Sequence, residues 1–346
     1  MIKSQTLLSN TGLVLGMAIS LIAGAGSTLA ADHENPFLGD WALTIPGGGA
    51  GWLGVTDEGE YYDASILWGT GSVLPVASVF FSDDSNMLFI TRLNEVKRKD
   101  ASGKVVRTHL FAERLIVKVS GDDLTATREV GRENGRGIIR EEFTGQRIPP
   151  MPSAPDLSKA KFGSPIKLFN GKNLDGWKLT DSSQVNGWSA QDGLLSNRPT
   201  QQEGKHIPYG NLRTEQEFED FNLTLEFRLT PGGNSGVYLR GIYEVQVADT
   251  YGKKLDPHNC GAIYSRITPS SSAEKPAGEW QTYDITLLER HATVVLNGVK
   301  IIDNAPLRGC TGGALWSDPV RPGPIYLQGD HTGIDYRNIV LKPVVK

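Results

Sequence analysis

Between Asn222 and Leu229 the chain alternates without a break: Leu223, Leu225, Phe227 and Leu229 stand against Asn222, Thr224, Glu226 and Arg228. A period of two is a β-strand with one buried face. No stretch of the chain carries a long helical period, so its cores must be built from sheets. The second half continues in the same way, through Val237–Leu239, Tyr243–Val247, Trp280–Leu288, Ala292–Leu296, Lys300–Asp303, Ile325–Gln328 and Asn338–Lys342. Asn297-Gly298, set between two β-branched runs, is a two-residue hairpin turn. Strands with turns at this spacing predict a two-sheet jelly roll over residues 162–346.

The first half is also strand-rich. Asp40–Ile45, Gly51–Thr56, Ala64–Trp68, Val76–Phe81, Leu88–Leu93, Thr108–Val119, Leu124–Val130 and Ile138–Phe143 are short apolar or β-branched runs parted by Gly, Asp, Asn and Ser. A meander of about eight strands predicts a small β-barrel or sandwich over residues 31–148. Its opening, Phe37-Leu38-Gly39-Asp40-Trp41, resembles the Gly-x-Trp start of lipocalin-like barrels. Pro149, Pro150, Pro152 and Pro155 then stiffen residues 149–161 into an extended linker.

At 346 residues, 39% of them hydrophobic and 21% charged, there is enough chain for a core in each half. The net charge is −4 with Lys and Arg dispersed, which offers no basic face to nucleic acid and no attraction to anionic lipid. Lys3, the uncharged apolar stretch from Leu13 to Ala25 and the small residues of Thr28-Leu29-Ala30 read as a secretory signal peptide cut after Ala30. The expectation is a periplasmic or secreted protein without a membrane span after signal removal; an uncleaved anchor is the alternative. In an exported chain Cys260 and Cys310 are a disulfide candidate, worth roughly 4 kcal/mol by loop-closure entropy. Two separate buried thiols are the other reading.

Several segments of the second half, in order, carry a resemblance. They are Leu168-Phe169-Asn170-Gly171-Lys172-Asn173-Leu174-Asp175-Gly176-Trp177, Trp188 with Asp192-Gly193, Asn234 to Arg240, Tyr243 to Asp249, Gly261 to Tyr264, Pro276 to Trp280 and Ile325 to His331, running into Tyr336-Arg337-Asn338-Ile339. Together they resemble the 3-keto-disaccharide hydrolase family, also described as 3-keto-glucoside 1,2-lyase/3-keto-2-hydroxy-glucal hydratase. Gln281 departs from the Asn often found after the family's Glu-Trp pair, and residues 1–161 have no counterpart in the family's core. The resemblance implies a concanavalin A-like fold with a sugar-holding concave sheet. It also implies an enzyme, hydrolase or lyase, that cleaves glycosidic bonds of 3-keto sugars.

Strand periodicity puts Glu244 and Gln246 on one face and Tyr243 and Val245 on the other. Tyr238 shares a face with Arg240, and Gln328 opposes Leu327. Such a polar face suits a sugar better than a core, because buried polar groups need partners. Glu244-Val245-Gln246-Val247-Ala248-Asp249 also echoes the Glu-x-Asp-x-x-Glu strand of laminarinase-type retaining glycosidases, which set two carboxylates about 5 Å apart. Here the middle acid is Gln246 and the last position is a shorter Asp249, so base-driven elimination on a ketone-bearing sugar fits better. That chemistry needs a base, an enolate stabiliser and a proton donor. Glu244 or His331 is the candidate base, and Arg240 and Gln328 are candidates for the ketone oxygen. Tyr238, Gln246, Gln328 and Trp316 are substrate-binding candidates, with Trp316 either stacking on a sugar or plugging its loop. His331 either serves in the site or caps a turn. A divalent metal ion is a possible cofactor, with Glu244, Asp249, His258, Asp330 and His331 as candidate ligands. No dinucleotide fingerprint occurs, so a separate glycoside 3-dehydrogenase is expected to install the ketone. A noncatalytic carbohydrate-binding jelly roll and an ordinary glycosidase acting on unoxidised glycans are the rival readings.

Overall fold

A computed structural model describes residues 35–82, 85–202 and 207–345. The signal peptide read at residues 1–30 lies outside them. The first half supplies β1 (Gly39–Thr44), β2 (Ala50–Asp57), β3 (Tyr62–Trp68), β4 (Leu74–Pro75), β5 (Ser78–Ser82), β6 (Met87–Lys99), β7 (Val105–Ser120), β8 (Asp123–Gly131) and β9 (Ile138–Arg147). They form one antiparallel sheet in the order β4-β3-β2-β1-β9-β8-β7-β6-β5. The two ends of that order are joined by the chain itself. Val76 N–H donates to Ala64 O on β3, and Ala77 N–H donates to Thr91 O on β6. The sheet therefore curls around its own core of Trp41, Leu43, Leu53, Ile66, Leu88, Ile90, Leu115, Val117 and Phe143. Arg147 lies 4.2 Å over the Trp41 ring and donates to Leu38 O at 2.7 Å, holding the first and last strands together.

The second half contains β10 (Ile166–Lys167), β11 (Trp177–Leu179), β12 (Trp188–Gln191), β13 (Leu194–Asn197), β14 (Leu212–Thr214), β15 (Phe221–Leu229) and β16 (Asn234–Leu239). It continues through β17 (Tyr243–Ala248), β18 (Gln281–Leu288), β19 (His291–Leu296), β20 (Val299–Pro306), β21 (Tyr326–Leu327) and β22 (Ile334–Pro343). An eight-stranded sheet runs β12-β13-β22-β15-β18-β19-β20, with β10 on β22, and a five-stranded sheet runs β11-β14-β21-β16-β17. The alternating residues of β15 bury Leu223, Leu225, Phe227 and Leu229 against Val237, Leu239, Tyr243, Val245 and Leu327 of the smaller sheet. Asn297 and Gly298 adopt φ of +51° and +81°, the conformation a two-residue hairpin turn requires. The fold is all-β, a small curled barrel followed by a two-sheet jelly roll. Among the described residues, no helix is long and apolar enough to cross a membrane.

Residues Pro36–Lys346 form one compact unit. The proline-rich stretch is strapped to the jelly roll: Arg290 Nη1 donates to Pro149 O at 2.7 Å and Asn304 Nδ2 to Pro155 O at 2.9 Å. Trp52, Ala50 and Leu67 of the barrel belong to the jelly roll's apolar cluster. Arg266 lies 4.3 Å over the Trp52 ring, and Arg308 pairs with Asp40 at 2.9 Å.

The disulfide expected between Cys260 and Cys310 is absent; both are free and buried. Each faces a different neighbour. Cys260 Sγ lies 3.3 Å from Tyr283 Oη on β18, and Cys310 Sγ donates to Gly51 O of the barrel at 3.7 Å. Burial pushes both thiols up to about 11.

Candidate active site

The five-stranded sheet buries every second residue in the core and turns the others outward. On β16 and β17 the inward set is Val237, Leu239, Tyr243, Val245 and Val247. The outward set includes Tyr238, Glu244 and Gln246, joined by Tyr326 and Gln328 from β21 and the residue after it. These residues line a cleft of about 570 Å³, within the size range of small-molecule sites. Pairing sets the layout: Tyr238 is opposite Glu244 and Tyr326, and Gly236 is opposite Gln246. Residues 259–264 fold back along β17, with Gly261 N–H donating to Gln246 O and Tyr264 N–H to Glu244 O. That return places Tyr264 beside Glu244 at the cleft wall.

Glu244 is 3% exposed, and burial pushes its carboxyl up to about 8, with the bond to Tyr238 opposing the rise. Tyr238 Oη lies 2.9 Å from Glu244 Oε2 and 2.7 Å from Gly312 O. A phenol has one proton, and an ionised Glu244 would leave it facing two acceptors. The Tyr238 O–H is shared between the Glu244 carboxyl and the Gly312 carbonyl. Burial, which outweighs that hydrogen bond, favours a neutral Glu244 near pH 7. Tyr326 stacks on Tyr238 with ring centroids 3.9 Å apart, and Asn211 Nδ2 donates to Tyr326 Oη at 3.3 Å.

The cleft also holds hydrogen-bonding groups for a ligand. Gln246 Oε1 accepts Val247 N–H at 2.9 Å, which leaves its Nε2 donors as the end presented outward. Asn234 Oδ1 and Gln328 Oε1 take no hydrogen bond among the described residues. Both residues line the cleft, and hydroxyl donors there would make good that deficit. Asp330 and the exposed His331 follow on the same rim.

Tyr238, Glu244, Gln246, Gln328 and His331 are therefore brought together as the sequence predicts. Arg240 is not. Strand β16 ends at Leu239, and Arg240 takes φ +54° in the turn to β17. Its guanidinium is buried and donates to Arg321 O, by Nε at 3.1 Å and Nη2 at 2.5 Å, away from the cleft. Trp316 is also not at the cleft. It packs against the core beneath Arg321, whose guanidinium lies 3.7 Å from its ring, so the plug reading holds for this loop. Asn211, Asn234, Tyr264 and Tyr326 line the cleft without having been singled out from sequence. Asn234 and Tyr326 follow from the period-two rule, since they fall in register with Tyr238 and Gln328.

Of the candidate metal ligands, Glu244, Asp330 and His331 line the cleft, and Asp249 and His258 do not. Asp249 Oδ2 accepts Gly232 N–H at 2.8 Å, and His258 Nε2 lies 2.9 Å from Ser72 Oγ with Asp256 at 3.4 Å. Asp330 Oδ1 accepts Tyr209 N–H at 3.0 Å. Among the described residues no three His, Cys, Asp or Glu side chains group as ligands.

Residues 164–342 match the 3-keto-alpha-glucoside-1,2-lyase-like domain. A 3-keto-disaccharide hydrolase from Bacteroides thetaiotaomicron is 28% identical over 143 residues, covering 33% of this chain and 49% of the relative. The chain thus spans about half the length of that curated relative. Two crystal structures of provisionally assigned glycosyl hydrolases from Parabacteroides distasonis are also similar. One is 28% identical with a TM-score of 0.40, covering 51% of this chain and 82% of the other. The second is 27% identical with a TM-score of 0.39, covering 52% and 98%.

Proposed function

The chain belongs to the 3-keto-alpha-glucoside-1,2-lyase-like domain family, and from that membership and the cleft geometry we propose that it cleaves the glycosidic bond of 3-keto-glycosides. The buried Glu244 carboxyl beside Tyr238, pushed up to about 8 by burial, is what supports this reading most. A two-carboxylate glycosidase needs a pair of acids flanking the bond; here the middle acid of the strand pattern is Gln246 and the last is a shorter Asp249, whose Oδ2 accepts Gly232 N–H. Elimination needs only one acid and one base.

In the proposed sequence the C3 ketone acidifies the C2 hydrogen, and His331 removes that proton. The enolate electrons form the C1=C2 bond as the C1–O bond breaks, and Glu244 protonates the departing oxygen. Amide donors of Gln246 and Gln328 hold the ketone oxygen as it gains charge. Water then adds at C1, giving its proton to the Glu244 carboxylate, while protonated His331 returns a proton to C2. The sum is hydrolysis, and both groups end as they began. A separate dehydrogenase would supply the ketone, and export through a leader cut after Ala30 belongs to the same proposal.

The test incubates the protein with a 3-keto-disaccharide and with its unoxidised parent, with and without a chelator. Sugar release from the keto substrate alone is expected, with Glu244→Gln slower by about 10²–10⁴-fold. Release from neither substrate would sink the enzymatic reading and leave a carbohydrate-binding role. Release from the parent alone would favour an ordinary glycosidase.

A further inference from the structure

The barrel is not a bystander to the cleft. Gly49, Ala50, Gly69, Thr70 and Gly71 line it together with the jelly-roll residues. Gly313 N–H donates to Gly69 O at 3.2 Å, and a Cβ on Gly312 would lie 2.8 Å from Gly71 N. Val73 N–H donates to Ser265 Oγ at 2.8 Å. The loop that supplies the Gly312 carbonyl to Tyr238 is therefore pressed between the barrel and the sheet.

This arrangement divides the cleft along the strand direction. Asn234 and Tyr238 are four residues apart on β16, a distance of about 13 Å. The Asn234 end carries Gln328, Asp330 and His331, and is dense in hydrogen-bonding groups. The Tyr238 end is walled by Gly312, Gly313 and Ala314 and by the barrel's glycines, with exposed Thr70 contributing a side chain there. Glu244 stands between the ends, reaching over Gly236. A ring that must be fixed for C2 deprotonation needs the polar end. A leaving group needs only space and a proton donor, which the bland end and Glu244 offer.

We propose that the barrel corner Gly69–Gly71, with Gly49 and Ala50, forms the leaving-group subsite and that Thr70 sets the size of leaving group accepted. The proposal rests on the 3-keto-glycoside reading above. Because the barrel stands across that end, the leaving group is short: one sugar ring or a small aglycone rather than a polysaccharide chain.

The experiment compares the full-length protein with Thr70→Trp and Thr70→Gly. Two 3-keto-glucosides serve as substrates, one with a methyl and one with a disaccharide leaving group. Thr70→Trp should lower the ratio of kcat/KM for the large over the small leaving group by at least about tenfold, and Thr70→Gly should raise it. A ratio unmoved in both variants, or one that Thr70→Trp raises, overturns the subsite. Calorimetric titration with an unreactive disaccharide and its component monosaccharide separates this claim from the catalytic one. If the wild type cleaves neither keto substrate, the catalytic reading fails by itself. The subsite then stands if Thr70→Trp weakens disaccharide binding more than monosaccharide binding, and falls if both weaken alike or neither does.

Discussion

Gly236 lies directly beneath the Glu244 carboxyl: a Cβ on this glycine would sit 2.9 Å from Cδ of the acid. The neighbouring strand has been left bare so that a buried carboxyl can lie across it. Gly236→Ala should displace the acid from Tyr238 with little change to the rest of the sheet. We expect turnover to fall by roughly 10–10²-fold, and overpacking to cost about 1–3 kcal/mol. Steady-state kinetics and denaturant unfolding of the same preparation check both numbers. Turnover equal to wild type would remove Glu244 from the chemistry.

Activity should also fall as pH rises through about 8, because the proposed proton donor is Glu244 with its carboxyl pushed up to that value. Residual activity of Glu244→Gln should lack this alkaline limb. The same group affects stability. It ionises near 4.5 in the unfolded chain and near 8 when folded, so between those values the folded state holds more protons and stability declines with rising pH. Melting curves of wild type and Glu244→Gln should diverge from pH 5 to pH 8, with the variant gaining relative to wild type. Parallel curves would contradict the shift.

Much of this site was legible because a strand repeats every two residues. Glu244 and Gln246 face the cleft, and Tyr243 and Val245 face the core, as that period requires. The same rule failed one residue beyond the strand. Strand periodicity sets Arg240 on the face of Tyr238, but a positive φ at Arg240 starts a turn and sends the side chain to Arg321 instead. Local patterns also say nothing about what a loop will meet. Gly69–Gly71 and Gly312–Gly313 are far apart in sequence, and their apposition is a product of tertiary packing. The free cysteines are a similar case: an even count in an exported chain suggests a bridge, but only neighbours such as Tyr283 and Gly51 decide it.

Trp52 anchors the barrel on the jelly roll, with Arg266 and Arg308 over its ring and Gly309 against its edge. Trp52→Ala should cost about 3–5 kcal/mol, read as a lowered unfolding midpoint. Catalysis should suffer as well, because the loop from Gly309 to Gly313 loses its backing. A midpoint within error of wild type would mean that the interface contributes little.

Buried and raised to about 11, the thiols of Cys260 and Cys310 should be inert to alkylation in the native protein. Two thiols should titrate once the protein is unfolded without reductant. Finding none would mean that the purified protein is bridged after all.

The apposition of Gly312 and Gly71 is main chain against main chain. Side-chain substitution can tune most contacts between two halves of a protein, but this one has no side chain to change. A side chain at Gly312 would therefore run into the Gly71 backbone. A jelly roll moved to another partner would carry a bare glycine loop shaped for a surface no longer there. In this chain the two halves therefore act as one structural unit rather than as two exchangeable modules.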